Sequence, residues 1–210
     1  MYHELVCYDR TALDEEVRTD MFAAVKYEFN SIAVLPCYLQ VAKESIVEGM
    51  DISAVIDFPY GVSDMPIRSH AIISAIRKGS TIIDLVVNNV YFINKKYDKF
   101  YDDIESASVI CKENRVLLRA ILEYRLFEYS DIVKMGNGLR EVNIEYIIPS
   151  TNSQLDVWDD NLAISIELTE KAKTKVITNG NIWKKEQYQS IKKSGVFGVR
   201  LSGSAIENIK

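Results

Sequence analysis

The feature that most constrains this chain is an eightfold alternation. Short β-rich runs fall at 4–9, 31–36, 53–59, 81–87, 116–122, 142–148, 175–179 and 195–201. Several, such as "IAVLP" within 31–36, are continuously apolar, as strands buried on both faces should be. Helical patterns lie between them. One opens after Thr11 as a cap, one runs from a cap at Ser63 to a stop at Gly79, and the longest is "YFINKKYDKFYDDIESASVICKEN". Strands that alternate with helices pair in parallel, because each parallel step needs a crossover. Eight such units in 210 residues predict an α/β protein, a (β/α)8 TIM barrel near the lower size limit of that architecture. An open doubly wound sheet would want a glycine-rich turn after the first strand, and "VCYDRTALDEE" has no glycine. With no linker or low-complexity tract, residues 1–210 read as a single domain.

Composition narrows the function classes. A net charge of -5 with scattered lysines and arginines gives no electrostatic footprint for nucleic acid. No apolar run approaches the ~20 residues of a membrane span, and "MYHELVCYDR" does not read as a secretory signal. The three separated cysteines, Cys7, Cys37 and Cys111, suit free thiols in the cytoplasm. His3 and His70 are the only histidines and have no ligand partners at metal spacing, so neither a metal nor another cofactor is expected.

In a barrel of this kind chemistry sits at the C-terminal ends of the strands. Charged residues inside apolar strands are therefore the first candidates. Asp84 shares a face with Ile82 and Val86 in "TIIDLVV", and Arg119 lies in the next strand. If both point inward they form an ion pair across neighbouring strands, either a structural pair or part of a proton relay. Asp57 reads as a cap for the turn that follows it. Asp9 and Glu123 close two other strands, as loop residues or as acid/base groups.

These segments, in this order, resemble the deoxyribose-phosphate aldolase family over nearly the whole chain. "YDRTALDEE" is similar to the family's first strand end, and "IAVLPCYLQVAKESI" to its second strand and helix. "AVIDFPYG", "IIDLVVNNVYF" and "VLLRAILE" resemble the next three strand ends. "YIIPSTN", "VITNGNI" and "VRLSGSAIENI" resemble the last three. The resemblance implies a class I aldolase, in which a strand-end lysine forms a Schiff base with an aldehyde. A second lysine lowers the first one's pKa, and an aspartate moves protons. The resemblance also implies a sugar phosphate held by small residues and backbone N–H groups.

Carried over residue by residue, the match is partial. Asp84 matches the aspartate, and Arg119 stands where the family has a lysine. Ser150 and Thr151 match the residues after the nucleophile, while Asn152 replaces a glycine. Ile148 stands in the nucleophile's place and Ile177 in the second lysine's. Gly180, Ser202, Gly203 and Ser204 match the phosphate-binding turns, with Asn181 beside Gly180. The family's closing C-terminal tail has no counterpart after Lys210. An isoleucine cannot form an imine, and no lysine stands ready to replace it. Lys43, Lys134 and Lys184 lie in helical patterns, Lys175 starts its strand, and Lys95 and Lys96 follow the fourth strand in a helix-like run and reach the site only if that loop folds inward.

Ile148 and Ile177 are expected to touch and to fill the upper barrel, with Tyr146 at the same mouth. Three readings follow. The first is an aldolase homologue without Schiff-base activity, serving as a scaffold, regulatory or assembly subunit. The second is a binding protein for a phosphorylated small molecule at Gly180, Ser202, Gly203 and Ser204. The third is a lyase-type enzyme that uses Asp84, Arg119 and Glu123 as acid/base groups. Family members are often dimers and the chain has 12 tyrosines, so a homodimer or larger assembly is the expected partner state.

Overall fold

The computed structural model describes residues 1–154 and 156–209. Among them eight strands close into one parallel barrel in sequence order, with β8 returning to β1. The strands are β1 (Tyr2–Cys7), β2 (Ser31–Val34), β3 (Asp51–Ile56), β4 (Ile82–Val86), β5 (Leu117–Ile121), β6 (Tyr146–Ile148), β7 (Lys175–Thr178) and β8 (Gly198–Ser202). The helices outside are α1 (Asp14–Lys26), α2 (Leu39–Ser45), α3 (Met65–Arg77), α4 (Asn89–Ile93), α5 (Tyr97–Glu113), α6 (Tyr129–Glu141), α7 (Trp158–Lys171), α8 (Lys185–Lys193) and α9 (Gly203–Ile209). The expected (β/α)8 architecture is the one observed.

Local chemistry moves several boundaries. The run 142–148 gives a strand of only three residues. Val142 closes α6, and Asn143 turns the chain with φ 64°, so pairing starts at Tyr146. The long helical pattern breaks in two at Asn94–Lys96, where Lys95 has φ 57°. Thr11 is not the cap of α1. It donates its N–H and Oγ to Asp9 at 2.8 and 2.6 Å, and Leu13 is the N-cap, its N–H held by Glu16 at 2.7 Å. Asp64, not Ser63, caps α3. Ser63 instead donates its N–H (2.9 Å) and Oγ (2.8 Å) to Asp57, which secures the β3–α3 turn as expected. Gly61 in that turn has φ 67°, and a Cβ there would lie 2.3 Å from the Val87 carbonyl oxygen.

The helices bury one apolar face on the outside of the sheet, through residues such as Met21, Ile72, Phe100, Leu139 and Leu168. The rings of "YDKFYDD" serve this packing: Phe100 is fully buried, and Tyr97 and Tyr101 are partly so. A separate apolar cluster fills the barrel. It contains Ala33, Val55, Val86, Ile121, Ile148 and Ile177. That interior decides what chemistry the fold can host.

Candidate functional site

Inward positions repeat every second residue. Register places Glu4 beside Ser31 and Arg200, and Asp84 beside Arg119. These four charged side chains meet at the barrel centre in a closed ring. Arg119 donates through Nε to Asp84 Oδ1 at 2.6 Å and through Nη2 to Asp84 Oδ2 at 2.9 Å and to Glu4 Oε1 at 2.6 Å. Arg200 donates through Nε to Glu4 and through Nη2 to Asp84, which closes the circuit. Ser53 Oγ adds a bond to Asp84 Oδ2 at 2.5 Å, and Ser31 Oγ one to Glu4 Oε1 at 2.7 Å. Two carboxylates face two guanidiniums, and none of the four side chains is more than 1% exposed.

The ring sets its own protonation. Burial alone would raise the Asp84 pKa, but Arg119 and Arg200 outweigh it and hold the carboxyl at about 2. Burial would likewise lower the Arg119 pKa, and the carboxylates of Asp84 and Glu4 reverse it to well above the ordinary value. The expected Asp84–Arg119 pair is therefore present, as half of a larger unit. Glu4 and Arg200 were missed by the sequence reading. Their signal was the same one that flagged Asp84, a charge on an inward position. Glu4 escaped because the first strand was begun at that residue, whereas it starts at Tyr2.

The apolar cluster packs around this ring, with Val86 and Ile121 one pleat beyond Asp84 and Arg119. Ile148 and Ile177 are fully buried there and share one cluster with Val86 and Ile121, as expected. Tyr8 and Phe58 pack on it with ring centroids 5.1 Å apart. Tyr146 packs on the same cluster as expected, but it sits two residues before Ile148 and meets it from the other side, with its ring on Phe197 at a centroid distance of 5.3 Å.

Glu123 does not join Asp84 and Arg119. It lies beyond β5, buried, where Thr151 donates to it through Oγ1 (2.5 Å) and N–H (3.3 Å). Burial raises its pKa despite the Thr151 bonds. Ser153 continues the chain at 2.7 Å from Thr151 Oγ1. Beside it, Asn161 bridges Asp156 (2.9 Å) and Asn179 (3.0 Å), and Tyr124 donates to Asp156 at 2.5 Å. These bonds tie the ends of β5, β6 and β7 together.

Two adjoining cavities lie over the barrel mouth. One, of about 160 Å³, is lined by Gly180, Ser202, Ser204, Asn181, Trp183 and the side of Arg200. The other, of about 980 Å³, includes Ser202, Gly203 and Ser204 with Tyr8, Asp20 and Tyr60. Val6, Tyr8, Asn152, Ser202 and Ser204 line both. So Gly180, Ser202, Gly203 and Ser204 do converge on open space. Asp20 is a second missed residue. It reaches from α1 so far that a Cβ on Gly203 would lie 2.0 Å from its Oδ1.

Among the described residues no lysine lines either cavity. Lys175 pairs with Glu145 at 2.9 Å, at the N-terminal end of β7. Lys134 lies over the Tyr97 ring at 3.6 Å. Lys95 lines a separate cavity of about 350 Å³ with Phe92, Arg125 and Glu128. Among the described residues no group of acidic, histidine or cysteine side chains is arranged to hold a metal ion, and no helix is long and apolar enough to cross a membrane.

No family model matches the chain. Individual relatives do. It is 29% identical to a deoxyribose-phosphate aldolase of Mannheimia succiniciproducens over 155 residues, 73% of this chain and 67% of that protein. It is 30% identical to one of Clostridium novyi over 142 residues, 67% of this chain and 63% of that protein. The matches thus span about two thirds of the curated relatives' length. In structure the chain is similar to a tetrameric deoxyribose phosphate aldolase of Aeropyrum pernix, with a TM-score of 0.85 at 18% identity, covering 99% of this chain and 87% of that one. At that identity the likeness concerns the fold.

Proposed function

We propose that this chain, which belongs to the deoxyribose-phosphate aldolase family, works without the Schiff-base step and serves as a non-catalytic scaffold, regulatory or assembly subunit. The observation that carries the reading is the pair Ile148 and Ile177, fully buried side by side where the resemblance puts two lysines. An imine needs a free amine within reach of the carbonyl. Among the described residues neither cavity over the mouth offers one. The layer beneath supports the same reading. A catalytic aspartate must exchange protons, and Asp84 is fully buried and fixed as a carboxylate by two guanidiniums.

An assembly role draws support from the loops that follow the strands. Large apolar side chains stand exposed on them at Leu13, Tyr60, Val62 and Trp183, and on α4 at Val90 and Ile93. Isolated exposed apolar residues are ordinary on a monomer, and an assembly would cover these. Free thiols at Cys7, Cys37 and Cys111 support a cytoplasmic setting. The lyase-type reading with Asp84, Arg119 and Glu123 loses its first two groups to the sealed ring and rests on Glu123 alone.

The experiment is a cleavage assay with 2-deoxyribose 5-phosphate, following acetaldehyde release by a coupled dehydrogenase. The expected result is no release above the protein-free rate. Turnover that survives purification to homogeneity contradicts the reading.

A further inference from the structure

The space over the barrel mouth survives although the reactive layer below it is packed shut. Together the two cavities have the size of a small-molecule site. Their charge decides which molecule suits them. Among the described residues the guanidinium at the floor is that of Arg200, already engaged by Glu4 and Asp84. Among the described residues the wall of the larger cavity carries three carboxylates, Asp9, Glu16 and Asp20, against one cation, Arg10.

The turn Ser202–Gly203–Ser204 is where an anion would be sought, and Asp20 stands against it. Its Oδ2 accepts from Cys7 Sγ at 3.0 Å, and its Oδ1 lies against Gly203. A phosphate dianion placed at this turn would meet a carboxylate of the chain's own. Like charges at such range repel strongly outside bulk water.

What the walls do offer is uncharged. Ser202, Ser204 and Ser153 present hydroxyls, Asn181 presents an amide, and Tyr60 and Trp183 present exposed aromatic faces. Hydroxyls and amides pair with sugar hydroxyls, and rings cover the apolar face of a sugar. Resting on the non-catalytic reading above, we infer that the barrel mouth binds an unphosphorylated polyhydroxy compound, a free sugar or nucleoside, with Asp20 excluding the phosphorylated form.

The test uses a matched pair, 2-deoxyribose and its 5-phosphate, with inorganic phosphate as a third probe. Saturation-transfer NMR on the intact protein reads contact and relative affinity. Transfer to 2-deoxyribose, none to phosphate, and at least about tenfold weaker binding of the 5-phosphate are expected. Tyr60→Ala combined with Trp183→Ala changes two exposed side chains and should abolish the transfer while the melting temperature holds. Asp20→Asn should bring the 5-phosphate to within about threefold of the free sugar. No transfer to 2-deoxyribose, or tighter binding of the 5-phosphate to the wild type, overturns the inference. So does a ratio unchanged by Asp20→Asn. A borohydride-trapped lysine adduct in the same samples would mark failure of the non-catalytic reading, whereas absent sugar binding without an adduct marks failure of this inference alone.

Discussion

Replacing Asp84 with asparagine tests whether the central ring is a structural unit. Asp84 accepts from Arg119 twice, from Arg200 and from Ser53. Asparagine keeps the shape but removes one of two negative charges facing two guanidiniums. It also turns an amide N–H₂ toward donors that need acceptors. Breaking a buried ion pair from one side costs ~3–5 kcal/mol, because the other charge stays buried without compensation. Against a total stability of ~5–15 kcal/mol that is a large fraction. For a chain of this size it corresponds to a fall of roughly 6–20 °C in melting temperature. Urea unfolding at pH 7 measures the loss. The partner measurement is Asp84→Leu with Arg119→Met, which removes one charge of each sign and leaves the Glu4–Arg200 pair intact. That double variant should lose at least ~1 kcal/mol less than Asp84→Asn. A single-variant loss below ~1 kcal/mol, typical of an exposed pair, would refute the reasoning.

Further outcomes follow from the same geometry. The Asp84 carboxyl, held at about 2 in the folded chain, lies below its unfolded value of ~3.9. Its contribution is therefore present above pH ~4 and lost as pH falls toward 2; acid titration of stability should show this loss in the wild type and a smaller one in Asp84→Asn. Glu123 has the opposite sign, since burial raises its pKa: it favours the fold at low pH and less as pH rises through its folded value. Glu123→Gln, which keeps an oxygen for Thr151, should leave stability at pH 7 unchanged or higher, and a clear loss by urea titration would contradict the assignment. Gly61→Ala should cost at least ~2 kcal/mol, because its methyl meets the Val87 carbonyl at a positive φ; a thermal melt decides it. Ile148→Lys places an amine in the apolar layer, and should lower the melting temperature by several degrees through desolvation of the charge.

Much of the fold was legible in the sequence, for a physical reason. Parallel strands covered on both faces must be apolar, and each needs a helix to return, so eight repeats of that pattern leave few topologies. Boundaries were less legible. Val142 and Ile144 look like strand residues, yet Asn143 takes a left-handed turn there that β-propensity does not register. Lys95 breaks a helix by its backbone conformation alone, with neither glycine nor proline to announce it. At the site, Ile148 and Ile177 were recognisable from chemistry, since no isoleucine makes an imine. Glu4 and Arg200 were not, because an ion ring exists only once the barrel brings β1, β4, β5 and β8 together. Asp20 gave no signal at all. It lies on an acidic helix, and only the fold carries it to Gly203.

The central claim is that no lysine of this barrel forms an imine. It is tested most directly by incubating the intact protein with acetaldehyde and sodium borohydride and measuring its mass. The account predicts an unchanged mass apart from slow labelling at exposed surface lysines, equal in the native and the urea-unfolded chain. A rapid, stoichiometric adduct that maps to one lysine and is lost on unfolding would contradict it.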